Sequence, residues 1–336
     1  MENIEKRLRE EAKKLLAEKK ADVIIGYEQG TLPLTATPCF ITLPEEAEKL
    51  VFNTFCVQNL AKFVTDILYQ HRDSQKRLKA EEKTKKVVGI VARGCTSRSL
   101  VIQIQERQYE RDEVVILGVP CYGYVDNKKM AALLDGHEII EGALQEDRIL
   151  LKTAGGGKEI PLSEVLADNC LTCRFNNPVI HDMMMGAVAS PMDAGREYEK
   201  VEEFSRLSET ERWDYFVKEM DKCIRCYACR NACPSCYCRS CFVEQTQPQW
   251  IGVGVDRADS EVFQIMRMYH MAGRCVDCGS CIAVCPMSVD LRTYLKKLDS
   301  EGWRLFEHRV GVSLDEPALL STFRENDRQD FIFEPE

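Results

Sequence analysis

The residues with most chemistry in them are cysteines, 17 in a chain of 336, and most fall in short regular spacings. Two runs repeat one another: Cys223, Cys226, Cys229 and Cys233 followed by Pro234, then Cys275, Cys278, Cys281 and Cys285 followed by Pro286. In this C-x-x-C-x-x-C-x-x-x-C-P spacing the first three thiolates hold one [4Fe-4S] cluster and the fourth departs on a short helix to hold the other. Cys223, Cys226, Cys229 and Cys285 therefore form one expected ligand set, and Cys233, Cys275, Cys278 and Cys281 the second. A pair of zinc ribbons is the plainer alternative, but a closed zinc site takes four ligands and would leave the third cysteine of each run idle. Clusters that only brace the fold are a further alternative; ligand exchange argues instead for two clusters close enough to conduct.

Between the halves lie Cys236, Cys238 and Cys241, which read either as another metal or cluster site or as buried or partner-facing thiols. No fourth ligand is evident nearby, and Cys39 and Cys56 are far away in the chain. His71, His137, His181, His270 and His308 are dispersed. His270 falls on a helix ahead of Cys275 and reads as a packed or surface residue, within reach of tuning a cluster through a hydrogen bond.

Cys95, Cys121, Cys170 and Cys173 form a separate set. Val87 to Val91 and Val114 to Leu117 are continuous apolar runs of the kind buried parallel strands show, and residues 97–112 between them have helical spacing, making a β-α-β unit. Cys95 and Cys121 each follow a strand of this unit, so their thiols emerge together at the crevice beyond the strand ends. By spacing alone the four are either ligands of a third cluster or small buried core residues.

The elements that must position these groups are legible in outline. Ile4, Leu8, Ala12, Leu15 and Leu16 share one face of an amphipathic helix, a strand follows at Val23 to Ile25, and residues 45–69 read as largely helical. The Gly155 to Gly157 run before Lys158 lacks the remainder of a phosphate-loop motif and reads as a turn. Ser208 and Glu211 form a capping box for a helix running to Met220. The expected fold is an α/β domain with a parallel β-α-β unit over residues 1–195, a linker over 196–212, a ferredoxin-like α+β dicluster module over 213–298 with an insertion at 235–262, and an extension over 299–336.

A composition that is 45% hydrophobic supports a sizeable core, and a formal net charge of -9 argues against nucleic-acid binding. The charged opening Met1 to Arg7 has no apolar leader behind it and no apolar run reaches membrane-spanning length. A reducing, cytoplasmic setting and metal-ligating rather than disulfide-bonded thiols are expected, in an anaerobic host because exposed clusters are oxygen-labile.

Gly94-Cys95, Val119-Pro120-Cys121, and Cys170 with Cys173 followed by Ile180-His181-Asp182 resemble the β-subunit family of coenzyme F-420-reducing hydrogenases and dehydrogenases, which includes formate dehydrogenase β subunits. The resemblance covers residues 5 to about 190, with the dicluster module attached behind. It implies that Cys95, Cys121, Cys170 and Cys173 bind a [4Fe-4S] cluster beside a flavin, FAD, and that electrons pass to or from a deazaflavin or another partner. Two departures bear on the flavin: a Ser-Gly-Gly segment is absent near the N-terminus, and Met183-Met184-Met185-Gly186-Ala187 stands where the family has a Gly-Asp pair. The methionines line a flavin face or fill core. Cys236, Cys238 and the Gln247 to Trp250 segment also resemble iron-sulfur subunits of formate dehydrogenase and heterodisulfide-reductase-type complexes.

The reading that follows is an iron-sulfur electron-transfer subunit of an anaerobic oxidoreductase complex, with the catalytic metal on another chain. Its expected partners are other redox subunits and a ferredoxin, deazaflavin or NAD(P)H-linked carrier. The alternative is a flavin-dependent oxidoreductase reducing a deazaflavin or nicotinamide at its N-terminal domain.

Overall fold

The computed structural model describes residues 2–190 and 194–321. Helix α1 (Glu2–Ala17) buries Leu8, Ala12, Leu15 and Leu16 against the N-terminal core, the face read from their spacing. Each fully buried leucine contributes about 2 kcal/mol. Strands β1 (Val23–Gln29), β2 (Ala36–Ile41) and β3 (Leu50–Val51) follow, then α2 (Ala61–Ser74), β4 (Val88–Ala92), α3 (Gly94–Gln105) and β5 (Val114–Gly118).

Helix α2 starts later than expected. Residues 44–49 form a 3-10 turn led by Pro44, and the next stretch stays open because the Asn53 side chain accepts from the Phe55 backbone N–H at 2.9 Å. Such local bonds compete with the helix ladder. Helix α3 likewise covers residues 94–105 rather than 97–112, so Cys95 sits in its first turn.

After α4 (Asn127–Ala132), strands β6 (Ile139–Gln145), β7 (Arg148–Thr153) and β8 (Gly156–Pro161) make a separate antiparallel sheet that sequence periodicity did not reveal. The turn between β7 and β8 is Ala154 and Gly155, and Gly156 and Gly157 of the glycine run open β8. Short helices α5 (Leu162–Val165) and α6 (Asp168–Leu171) lead to β9 (Met183–Met184). The main sheet has the order β2-β1-β4-β5-β9 with β3 on β1. Val88 pairs with Val114 and Ala92 with Gly118 in parallel register; β1 lies parallel to β4 and β9 to β5, whereas β2 and β3 run antiparallel to β1. The β-α-β unit is thus present at the centre of a mixed sheet. Of the three methionines, Met183 and Met184 form the edge strand, and Met185 is buried in the core.

The rest of the described chain is helical: α7 (Glu199–Ser205), α8 (Glu209–Asp221), α9 (Ala228–Asn231), α10 (Arg257–His270), α11 (Ser280–Ala283) and α12 (Arg292–Phe306). Ser208 and Glu211 form the capping box of α8. Among the described residues from 194 onward there is no strand, so the α+β character expected of this module is replaced by helices and loops. The physical reason lies in its backbone: Arg225, Tyr227, Asp277 and Gly279 adopt left-handed conformations within the cysteine runs, which interrupts extended pairing. Among the described residues no helix is long and apolar enough to cross a membrane.

The helical part is fastened to the α/β part by buried polar contacts. Arg98, on α3, donates to the carbonyls of Val276 at 3.1 Å and Val310 at 2.9 and 2.7 Å. Gln103 donates to the Pro234 carbonyl at 2.7 Å. Lys128 reaches the carbonyls of Ile282 and Cys285.

Candidate metal centres

The two cysteine runs repeat in backbone as well as in sequence. In each, the residue before the second cysteine (Arg225, φ 47°; Asp277, φ 54°) and the residue after it (Tyr227, φ 58°; Gly279, φ 72°) are left-handed. This curls each C-x-x-C-x-x-C segment around a hollow. Helices α9 and α11 then carry the chain from the third to the fourth cysteine of each run.

The structure brings these cysteines together in the two groups that an exchange of ligands would use. Cys223, Cys226, Cys229 and Cys285 line one cavity. Cys233, Cys275, Cys278 and Cys281 line another. The same is true of the third set: Cys95, Cys121, Cys170 and Cys173 surround a single cavity between α3, the loop after β5, and α6. Gly94 is required there, because a Cβ on it would stand 1.7 Å from the Phe175 carbonyl oxygen. The Cys121 N–H donates to the Asn176 carbonyl at 2.9 Å, drawing the strand end onto the Cys170–Cys173 loop.

Donor chemistry fits [4Fe-4S] clusters in all three cavities. Among the described residues no three His, Cys, Asp or Glu donors converge tightly enough to hold one metal ion, whereas a zinc ribbon needs four donors within about 2.3 Å of a single ion. Each cavity is also lined by a buried arginine: Arg93 at the Cys95 cavity, Arg225 at the Cys223 cavity, and Arg267 at the Cys275 cavity. Each donates to a backbone carbonyl yet keeps at least one buried N–H unbonded, and Arg225 also meets Asp259 at 3.6 Å; an anionic thiolate-ligated cluster would add counter-charge beside all three. Cys95 adds the N-terminal end of α3, which also favours negative charge.

A hydrogen bond with the Cys236 thiol lowers Cys233, whereas burial raises seven other thiols of the three sets. This burial pushes Cys173 and Cys281 up to about 12 and Cys278 to about 11, and raises Cys121, Cys170, Cys229 and Cys275 as well. Binding iron here must therefore release protons. Further N–H groups meet the sulfurs: Gln264 Nε2 lies 3.5 Å from Cys223 Sγ and the Val289 N–H 3.4 Å from Cys285 Sγ. Such bonds to ligand sulfur tune a bound cluster.

Two of the three cavities share a wall. Val276 and Asp277 line both the Cys95 cavity and the Cys275 cavity, and Cys95 packs into one apolar cluster with Cys278 and Ile102. The remaining pair of cavities meets across α9 and α11, since Cys229 and Cys233 face different hollows, as do Cys281 and Cys285. Gly279 makes the junction close-fitting: a Cβ there would lie 2.1 Å from Tyr124 Oη and 2.4 Å from Asn169 Oδ1.

Cys236, Cys238 and Cys241 line a fourth cavity. Cys39 and Cys56 do not join them; both are buried in the N-terminal core. Two groups had no strong signal in sequence. Arg267 sits on α10 like any helical cation, and only its burial beside the thiols marks it. His270, read as a packed or surface residue, lines the fourth cavity. Of the other motif residues, Asp182 is structural: its carboxylate accepts from the Ile116 N–H and from Arg111, each at 2.7 Å, and so caps β5.

Residues 219–289 match the 4Fe-4S dicluster domain family. The chain is 22% identical to the F420-dependent formate dehydrogenase subunit beta of Methanocaldococcus jannaschii, over 87% of this chain and 89% of that protein. It is also 22% identical to the F420-dependent formate dehydrogenase 1 subunit beta of Methanococcus maripaludis, over 92% of this chain and 91% of that one. Among solved structures, a chain of the F420-reducing NiFe hydrogenase complex from Methanosarcina barkeri matches with a TM-score of 0.36 and 15% identity, covering 52% of this chain; the match spans 63% of that chain.

Proposed function

We propose that this chain, a relative of the F420-dependent formate dehydrogenase beta subunits, is the iron-sulfur electron-transfer subunit of a multi-subunit oxidoreductase complex. The observation that carries this reading is the grouping of twelve cysteines at three cavities, two of which share Val276 and Asp277 as a wall. A [4Fe-4S] cluster in each cavity supplies one-electron transfer.

The chain's own residues do the rest. Cys223, Cys226, Cys229 and Cys285 would hold one cluster, Cys233, Cys275, Cys278 and Cys281 the second, and Cys95, Cys121, Cys170 and Cys173 the third. Arg93, Arg225 and Arg267 offset the negative charge. Val276, Ile102 and Val310, packed around Cys278, keep water out of the junction between the α/β and helical parts. The boundaries of the ferredoxin-like module, at 213–298, and a cytoplasmic setting belong to the same proposal.

The names of the relatives point to F420, and the proposal takes that deazaflavin as the carrier at one end, reached through FAD in the α/β domain. The catalytic metal for formate or hydrogen would lie on a partner subunit. The alternative, a flavin enzyme complete in itself, predicts that the isolated chain reduces a deazaflavin or nicotinamide without partners.

Anaerobic purification followed by iron and flavin quantitation and electron paramagnetic resonance tests the proposal. At least about twelve iron atoms per chain and interacting reduced-cluster signals support it. Colourless protein, or dithionite-treated protein without a paramagnetic signal, overturns it.

A further inference from the structure

We propose that Cys236, Cys238 and Cys241 hold a further iron-sulfur cluster, with the His270 imidazole as its fourth ligand. The inference rests on reading the chain as an iron-sulfur carrier, and it adds a site and a ligand type that the repeated cysteine runs do not contain.

The three thiols and His270 line one cavity of about 210 Å³. This space is walled by cations: Lys62, Arg230, Arg239, Arg267 and Arg274 all face it. Its one carboxylate, Glu244, is already engaged, bonded to Arg230 at 2.8 Å and to the Cys241 N–H at 3.2 Å. Arg267 is 3% exposed, and its Nε and Nη1 have no hydrogen-bond partner. It borders both this cavity and the Cys275 cavity, whereas the other four cations already meet carboxylates: Lys62 with Asp66, Arg230 with Glu244, Arg239 with Asp73 and Arg274 with Glu106. A thiolate-ligated cluster beside the three cysteines would give Arg267 an anionic neighbour on this side as well.

The occupant is a cluster rather than a single ion because, among the described residues, no three donors come together closely enough to share one metal. The fourth ligand follows by elimination within the cavity. Glu244 is paired and the other charged groups are cations, which leaves His270. Its ring meets the edge of Phe242 at 5.6 Å and no described hydrogen bond occupies its nitrogens. Imidazole is an accepted substitute for thiolate at iron-sulfur centres.

Position gives the site a use. Cys236 lies one turn from Cys233, its N–H donating to the Cys233 carbonyl at 3.1 Å and its thiol in hydrogen-bond contact with the Cys233 thiol, yet the two residues line different cavities that share Ser235, Arg267 and Met271. Cys238 and His270 are exposed. The site thus extends the series of cavities to the surface, where a redox partner can dock.

The test uses anaerobically purified full-length protein, with iron, sulfide and zinc quantitation, electron paramagnetic resonance and Mössbauer spectroscopy. Wild type is expected to hold about four iron atoms more than the three four-cysteine sites require. Cys238→Ser, at an exposed position, should lose about four iron atoms while the other signals persist. His270→Ala should shift the spectrum and potential of that one cluster. Wild-type iron no higher than three clusters' worth, a zinc atom lost on Cys238→Ser, or an unchanged His270→Ala spectrum overturns the inference while the three-site reading stands. Absence of all cluster signals overturns both.

Discussion

Asn169 joins two of the proposed cluster sites directly: its Nδ2 donates to the Asp277 carbonyl at 3.2 Å, and its Oδ1 accepts from Tyr124 Oη at 3.1 Å. The residue before Cys170 thereby holds the loop between Cys275 and Cys278. Replacing it with alanine strands the Asp277 carbonyl in a buried junction and leaves Tyr124 Oη only the Cys278 carbonyl, at 3.4 Å, at a cost of about 1–3 kcal/mol. Denaturant unfolding of the anoxic holoprotein measures this. A change within about 0.5 kcal/mol, the level of an ordinary surface substitution, would remove Asn169 from the junction.

Gly279→Ala tests the same contact sterically. The new methyl group would meet Tyr124 Oη and Asn169 Oδ1 well inside van der Waals distance, on a backbone at φ 72°. The expected result is a destabilisation of about 2 kcal/mol or more and a changed magnetic interaction between the clusters at Cys95 and Cys278. Line shapes identical to wild type would show that the junction is looser than it stands here.

Arg267→Met probes the charge that the cavities need. The arginine is buried, and Cys229, Cys233, Cys236 and Cys281 all act on it electrostatically. Removing a nearby cation penalises the more negative reduced cluster, so reduction potentials should fall, by on the order of tens of millivolts. Redox titration followed by paramagnetic resonance reads the shift, and a rise in potential would contradict this role.

Glu197 lines the Cys95 cavity and pairs with Arg174, Lys296 and Arg309. Burial raises its carboxyl, but these cations outweigh burial and hold it down at about 2, against an ordinary 4.5. A depressed carboxylate contributes stability that is complete above about pH 4.5 and is lost as pH falls toward 2. The stability difference between wild type and Glu197→Gln should therefore be largest near neutral pH and shrink across that window. Unfolding both proteins at a series of pH values checks it, since acid loss of clusters affects both alike; a difference that grows in acid would refute the pairing.

Sequence alone pointed to the grouping of the two ferredoxin-type cysteine sets, with Cys233 and Cys285 crossing between them, and determined the α1 face, the β-α-β unit and the capping box of α8. Each is written in spacing over a few residues, where local geometry follows directly from residue order. Tertiary structure decided what spacing cannot express. Packing drew Cys95, Cys121, Cys170 and Cys173 to one cavity from three separate stretches of chain, where four thiols could equally have been core residues. It buried Arg267 on a helix whose polar residues otherwise read as surface, and it placed His270 beside thiols some thirty residues earlier. Whether a side chain is a ligand or filler depends on what stands opposite it, and that is settled by long-range burial of apolar surface, which a linear motif does not record.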